Sequence, residues 1–199
     1  MMGGCKFVYF LIQMAFFIQN VYSDGNNDVD DKIVGGRKVN ITEYPFYVLV
    51  VAKLRDGRES YCGGSIINGS RVLTAAHCVD GFQSVEVRPC VTSKRESLKQ
   101  DGPLSDDLKA VDLKMYSDQY CHKFYGRLPT ATLICAGHNK DNQNTCGGDS
   151  GGPIVFYKTK KQCCLVTAGR YCAKANYPKL FTKLSNKEVH EWIIKHSSN

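Results

Sequence analysis

Long hydrophobic runs are what this sequence has least of. The longest, Phe7 to Ile18, is broken by Gln13 and falls short of the roughly 20 apolar residues that cross a bilayer. No later segment is apolar for long enough, so a membrane-spanning reading is set aside. Acidic residues are also in deficit: 19 Asp and Glu stand against 26 Lys and Arg, a formal charge of +7. A basic balance favours anionic matrices or acidic substrates. Here, however, the Lys and Arg are scattered and no nucleic-acid motif accompanies them, so a solvated surface is preferred to a nucleic-acid partner.

Cysteine, by contrast, is abundant. Ten in 199 residues points to an oxidising compartment, since cytosolic thiols are kept reduced. The N-terminus agrees: Lys6 precedes the apolar run, and Val21-Tyr22-Ser23 follows it with small or β-branched residues at a cleavage position. Residues 1–23 therefore read as a secretory signal peptide, and the protein as secreted and extracellular. Residues 24–32, Asp-Gly-Asn-Asn-Asp-Val-Asp-Asp-Lys, are too polar to pack and read as an exposed propeptide. Without residues 1–32 the chain keeps 24 basic and 15 acidic residues, a balance of +9.

The stretch with the clearest chemical meaning is Cys146-Gly147-Gly148-Asp149-Ser150-Gly151-Gly152-Pro153. Four glycines around one hydroxyl permit positive φ and close approach of another chain. They also let the N–H groups of Gly148 and Ser150 converge on one oxygen anion. Two further stretches stand upstream, Leu73-Thr74-Ala75-Ala76-His77-Cys78 and Ile33-Val34-Gly35-Gly36 directly after Lys32. With all three in this order, the chain resembles the chymotrypsin/trypsin family of serine endopeptidases from Ile33 to its C-terminus.

The resemblance implies an all-β fold, a chymotrypsin-like double β-barrel with a C-terminal helix. It implies peptide-bond hydrolysis with Ser150 as nucleophile, His77 as its base and the Gly148 and Ser150 amides as oxyanion hole. No cofactor or metal is called for. It also implies a zymogen: an activating protease cuts after Lys32, and the freed Ile33 ammonium pairs with Asp149, supplying the cation a buried carboxylate needs. Three disulfides are implied, Cys62 with Cys78, Cys121 with Cys135, and Cys146 with Cys172. With Cys5 in the signal peptide, Cys90, Cys163 and Cys164 remain. Pairing Cys90 with Cys163 or Cys164 leaves one free thiol or an intermolecular bridge; a zinc site is the outside alternative.

Strands are expected over 45–52, 62–67 and 71–75, the last two joined by the hairpin dipeptide Asn68-Gly69. Asn40-Ile41-Thr42 and Asn68-Gly69-Ser70 are N-glycan acceptors. After Ser84-Val85-Glu86-Val87-Arg88 the family pattern breaks. The long segment that completes the first barrel and carries the triad Asp is missing, and within a few residues Cys90-Val91-Thr92-Ser93 reads as the opening strand of the second barrel. This makes residues 33–89 a truncated first barrel and 90–199 a nearly complete second one. Asp106, Asp107 and Asp112 are the nearby acids, but they lie in Ser105–Leu113, which alternates like a second-barrel strand.

The specificity pocket departs too. Asn144 stands six residues before the nucleophile, where trypsin-like members carry Asp. Thr167-Ala168-Gly169 replaces the usual Ser-Trp-Gly, and Tyr171 and Lys179 replace small glycines. Lys179 either fills the pocket or places an ammonium at its base. At the C-terminus, Ser185 and Glu188 form a capping-box pattern ahead of a helix with Val189, Trp192 and Ile193 on one face and His190 exposed. Three readings compete: a serine endopeptidase weakened by its missing Asp, a non-catalytic homologue acting as a binding or regulatory protein, and a shortened form of an active enzyme.

Overall fold

The computed structural model describes residues 36–89, 96–97, 104–105, 107–139, 143–169 and 174–197. The expected strand at Cys90–Ser93 falls outside them, as do the signal peptide, the propeptide and Asp106. No helix among the described residues is long and apolar enough to cross a membrane.

The described residues are mostly β, with two curled sheets and two α-helices, one of them C-terminal. The first sheet has the order β4-β3-β2-β5, from β2 (Tyr47–Lys53), β3 (Glu59–Asn68), β4 (Arg71–Leu73) and β5 (Ser84–Pro89). Val48 to Ala52 are all buried, because β2 is central and covered on both faces; β-branched residues suit such a strand. Val48, Val50, Cys62, Ala75 and Cys78 form the core of this half. Gly64 lies opposite Val48, and a Cβ there would stand 2.9–3.1 Å from side-chain atoms of Val72, Val50 and Val48. Its missing side chain is the space those valines occupy.

The second sheet has the order β11-β12-β13-β10-β9: β9 (Lys114–Met115), β10 (Leu133–Gly137), β11 (Pro153–Val155), β12 (Gln162–Ala168) and β13 (Lys179–Lys183). Its core gathers Ala136, Cys164, Val166 and Phe181, with Cys121, Cys135 and Leu180 beside it. Two short pairings complete the strands, β1 (Arg37–Lys38) with β8 (Lys109–Ala110) and β6 (Glu96–Ser97) with β7 (Leu104–Ser105). The first ties the start of the described chain to a segment ahead of the second sheet, and Val39 N–H extends it by donating to Leu108 O. Antiparallel sheets of this kind, each curled around its own core, are the two halves of a chymotrypsin-like double barrel.

Three local expectations need correction. Ser105–Leu113 is not one strand: pairing stops at Ser105, resumes at Lys109–Ala110 and stops again before Lys114. Asn68 is not a turn centre, because it pairs with Arg71 at the end of β3. Its Oδ1 accepts from Ser70 N–H at 3.0 Å, and its Nδ2 donates to Ser197 O at 2.6 Å. The C-terminal helix α2 (Lys187–Ser197) begins two residues after Ser185, and its cap is Asn186, whose Oδ1 accepts from Val189 N–H at 3.1 Å. Val189 is buried beneath the helix while His190 is exposed. The Asn186 amide also donates to Ala131 O. Asn186→Ala is therefore predicted to cost about 1 kcal/mol, and Ser185→Ala almost nothing, when the two are compared by urea unfolding.

The other helix, α1 (Asp118–Tyr125), starts at the Ser117 cap and carries Cys121 inward. Cys121 and Cys135 are joined, as are Cys62 and Cys78.

Candidate active site

Ser150 and His77 are brought to the seam between the two sheets by backbone contacts made through glycine. Gly63 N–H, on β3, donates to Ser150 O at 2.8 Å, and the Cys78 sulfur lies 3.6 Å from the same oxygen. Thr74 Oγ1 donates to Gly63 O at 2.8 Å. A Cβ on Gly63 would stand 2.7 Å from Gly152 Cα, so this approach exists only because Gly63 lacks one. The Cys62–Cys78 disulfide then fixes the short 3-10 turn Ala76–Cys78, which carries His77, against β3.

Within the Ser150 loop, Gly148 and Gly151 have φ of 89° and 77°, the left-handed region that glycine adopts at no steric cost. The loop is closed by Asp149, whose Oδ2 accepts from Cys146 N–H at 2.8 Å and whose carbonyl accepts from Gly152 N–H at 2.9 Å. Asp149 is 7% exposed. Neither Gly148 N–H nor Ser150 N–H donates to a described residue. Two unspent donors next to one hydroxyl are the arrangement that an oxyanion needs. Ser150 is half-buried and its hydroxyl makes no hydrogen bond to His77.

The imidazole has no acid partner among the described residues. His77 makes no hydrogen bond or ion pair there, and although it is exposed, desolvation by the surrounding protein alone holds its pKa below the ordinary histidine value. A carboxylate on the ring would act in the opposite direction. Asp107 instead pairs with Lys38 at 2.6 Å, and Asp112 acts on Arg37. A ring nitrogen of His77 lies within 4.8 Å of the sulfurs of Cys62 and Cys78. Because both sulfurs are spent in the disulfide, this cluster offers a metal one ligand instead of three.

A protein-family model described as Trypsin matches residues 33–97 and 82–193. The chain belongs to the trypsin family. Among curated relatives, it is 38% identical over 96 residues to the venom serine protease Bi-VSP of Bombus ignitus, covering 45% of this chain and 27% of that protein. It is 26% identical over 238 aligned positions to the vitellin-degrading protease of Bombyx mori, covering 85% and 87% of the two chains. To the trypsin of Saccharopolyspora erythraea it is 24% identical, covering 76% and 93%.

In this trypsin-family frame, Lys179 and Gly169 meet among the residues singled out for the specificity pocket, while Asn144 and Thr167 bond to other neighbours. Asn144 is fully buried, with Oδ1 accepting from Thr145 N–H and Nδ2 donating to Tyr177 O. Thr167 turns its hydroxyl to Thr182 at 2.7 Å. Lys179 is 5% exposed, and its Cδ lies 2.0 Å from where a Gly169 Cβ would be. The lysine stem therefore occupies the ground beside Gly169. Burial pushes its ammonium down to about 8, against the opposing pull of Asp149.

That displacement sets a stability test. The unfolded lysine keeps its proton to about pH 10.5, whereas the folded one releases it near 8. Below pH 8 both are charged and the folded state carries the full burial penalty. Stability is expected to climb between pH 8 and 10.5, where the unfolded state binds more protons. Lys179→Met should flatten that climb and raise neutral-pH stability by up to about 3 kcal/mol, the difference converted at 1.36 kcal/mol per pKa unit; urea unfolding across pH measures it.

The thiols bring a further correction. Cys163 and Cys164 are both free, so neither makes the bridge to Cys90 that the sequence left open; Cys90 lies outside the described residues. Cys146 is disulfide-bonded, while its expected partner Cys172 is outside them too, as are Lys32, Ile33 and Tyr171. What sequence reasoning missed is the contact between Gly151 and the Thr74-Ala75 segment. The paired glycines 63-64 and 151-152 were its signal.

Proposed function

We propose that this chain is a secreted serine endopeptidase of the trypsin family, made as a zymogen and acting on proteins or peptides, whose centre is crippled by the loss of its acid. Ser150 attacks the scissile carbonyl, His77 takes its proton, and the Gly148 and Ser150 amides receive the oxyanion. The observation that carries the reading is that His77 has no acid partner among the described residues. Without a carboxylate, the ring is neither held in one tautomer nor steadied when charged. The reading of a missing segment is supported by the alignment to the Bombyx mori protease, whose 238 positions exceed the 199 residues of this chain. Sequencing the transcript between Val85 and Cys90 separates a shortened form of an active enzyme from a chain that is made this way.

Activation follows the family's logic, with cleavage after Lys32 and the Ile33 ammonium turning in to the buried Asp149. Secretion rests on the N-terminal signal pattern and the cysteine content. Of the two glycan acceptors, Asn40 has its amide nitrogen unengaged by described residues and is exposed, whereas that of Asn68 is held by Ser197.

A second reading, the non-catalytic binding or regulatory homologue, is favoured by one specific observation: the buried Lys179 stem lies against Gly169, which the family resemblance assigns to the substrate pocket. The two are separated with protein cut after Lys32 and a serine-reactive phosphonate. Labelling that disappears in Ser150→Ala supports a working site, and no labelling of folded protein supports the binding module. Any residual hydrolysis should prefer an acidic residue before the cut, because Lys179 offers a cation there. The preference should fade above about pH 8 as that cation is lost. A panel cleaved best after Lys or Arg would refute it.

A further inference from the structure

The turn that joins β11 to β12 carries Lys158, Lys160 and Lys161 beside two aromatic rings. The register of the two strands shifts between Ile154 and Val155, leaving Cys163 as an extra residue, and such a bulge bends the strand that holds it. Past the bulge, Phe156 N–H donates to Lys161 O at 3.0 Å and Lys160 N–H to Phe156 O at 2.8 Å. These bonds close the turn. Lys160, with φ of 55°, braces it from inside: its Nζ donates to Tyr44 Oη at 3.2 Å and stands 4.4 Å from the centre of that ring.

The outer side of the turn is uncommitted. Lys158 and Lys161 are exposed, and neither ammonium pairs with an acid among the described residues. Phe156 and Tyr157 beside them are 52% and 71% exposed. Glu43, which is close enough to act on Lys160, is already held by Arg37 at 2.9 and 3.3 Å. Two free cations next to two bare rings suit an acidic peptide with an apolar residue in it.

This same chain contains one. Residues 24–32 hold Asp24, Asp28, Asp30 and Asp31 against Lys32, a balance of −3, with Val29 as their one apolar side chain. The described strands begin at Arg37, whose bond to Glu43 sets it near Tyr44, the ring that braces the turn. Nine residues lead from Asp28 to Arg37, and at roughly 3.3–3.6 Å each they reach about 30 Å. The tether therefore spans the gap. It also supplies an effective concentration of about the millimolar order, so that exposed ion pairs too weak to hold a free peptide suffice.

We propose that the turn 156–161 is the docking site of the acidic propeptide, with Asp28, Asp30 and Asp31 on Lys158 and Lys161 and Val29 against the rings of Phe156 and Tyr157. A docked segment is withheld from the cleft of an activating protease, so the turn slows the cut after Lys32. That second step rests on the zymogen reading; the docking does not.

The test treats the full, uncut chain at low ionic strength with a carbodiimide, which joins a carboxylate to an amine only where they touch, and maps the links by mass spectrometry. Links from the three aspartates to Lys158 or Lys161 are expected, and should disappear at about 1 M salt, where charges are screened beyond roughly 3 Å. Lys158→Gln with Lys161→Gln leaves the cleavage sequence untouched. At low salt this variant should show the Ile33 end several-fold sooner under trypsin, and at high salt at the parental rate. Lys158→Arg with Lys161→Arg should cut like the parent. No links to either lysine, or links spread evenly over the exposed lysines, overturns the docking; so does heparin or a phosphatidylserine vesicle bound at the turn in place of the links. Links with an unchanged cutting rate overturn the effect on activation. A normal cut that yields no phosphonate-reactive enzyme counts against the zymogen reading instead, and the links remain.

Discussion

Cut after Lys32, the protein is expected to hydrolyse peptides at least about 10⁴-fold more slowly than a family member with its acid in place. In the family's Ser-His-Asp template, exchanging the acid for its amide alone slows turnover about 10⁴-fold, or roughly 5 kcal/mol of barrier. The effect here should be larger. His77 lacks any hydrogen bond among the described residues, so the ring is also free to leave the attack geometry, and small misplacements at a reacting centre cost further factors of ten. The acidic limb of any residual rate should fall below the ordinary histidine value, because desolvation keeps the imidazole neutral to lower pH. Steady-state kinetics on an unbiased peptide panel, with Ser150→Ala as background, would measure both. A rate within tenfold of a complete triad would show that an acid reaches His77 after all.

Gly151→Ala is expected to prevent folding, at a cost above about 4 kcal/mol. A Cβ at this position would lie 2.1 Å from Thr74 Oγ1, 2.6 Å from Gly63 O and 2.8 Å from Ala75 N. Two of those three atoms are backbone and cannot swing aside, and φ of 77° adds strain for any side chain. The substitution wedges the Ser150 loop off the segment that leads into His77. Gly147→Ala in the same loop is the control: nothing lies within 4 Å of its Cβ and its φ is ordinary, so its stability should stay within about 0.5 kcal/mol of the parent. Urea unfolding of the pair decides the matter, and equal stability would mean that the two loops do not depend on this contact.

The parts of the fold that could be read in advance were those where side-chain chemistry and backbone demand coincide. Cys146–Pro153 announces itself because a nucleophile turn needs glycine, Leu73–Cys78 through the family resemblance, and the strand around Val48–Val51 because β-branched residues are frequent in it. The Cys62–Cys78 and Cys121–Cys135 bridges followed from the family resemblance. What escaped were choices made by tertiary contact. Asn186 beats Ser185 as helix cap because its amide also reaches Ala131. Asn68 gives up the centre of its turn because its side chain is already committed to Ser70 and Ser197. The bulge at Cys163 depends on how β11 and β12 slide past one another, which a pattern of alternating residues cannot reveal. The alternation at Ser105–Leu113 was real enough to suggest one strand, but within its last six residues only Lys109–Ala110 pairs as a strand, with Leu108 adding one bond to Val39.

Asn68 and Ser197 are 129 positions apart, so the Asn68 side-chain bond at the end of β3 is made only once α2 has docked. Contacts this distant are won late, since the intervening loop must first be closed. The last turn of α2 thus works as a clasp. A molecule clipped before Ser197 would keep both sheets, because Asn68 still pairs with Arg71, yet would lose the Asn68 bond that fastens the β3–β4 hairpin to the end of α2.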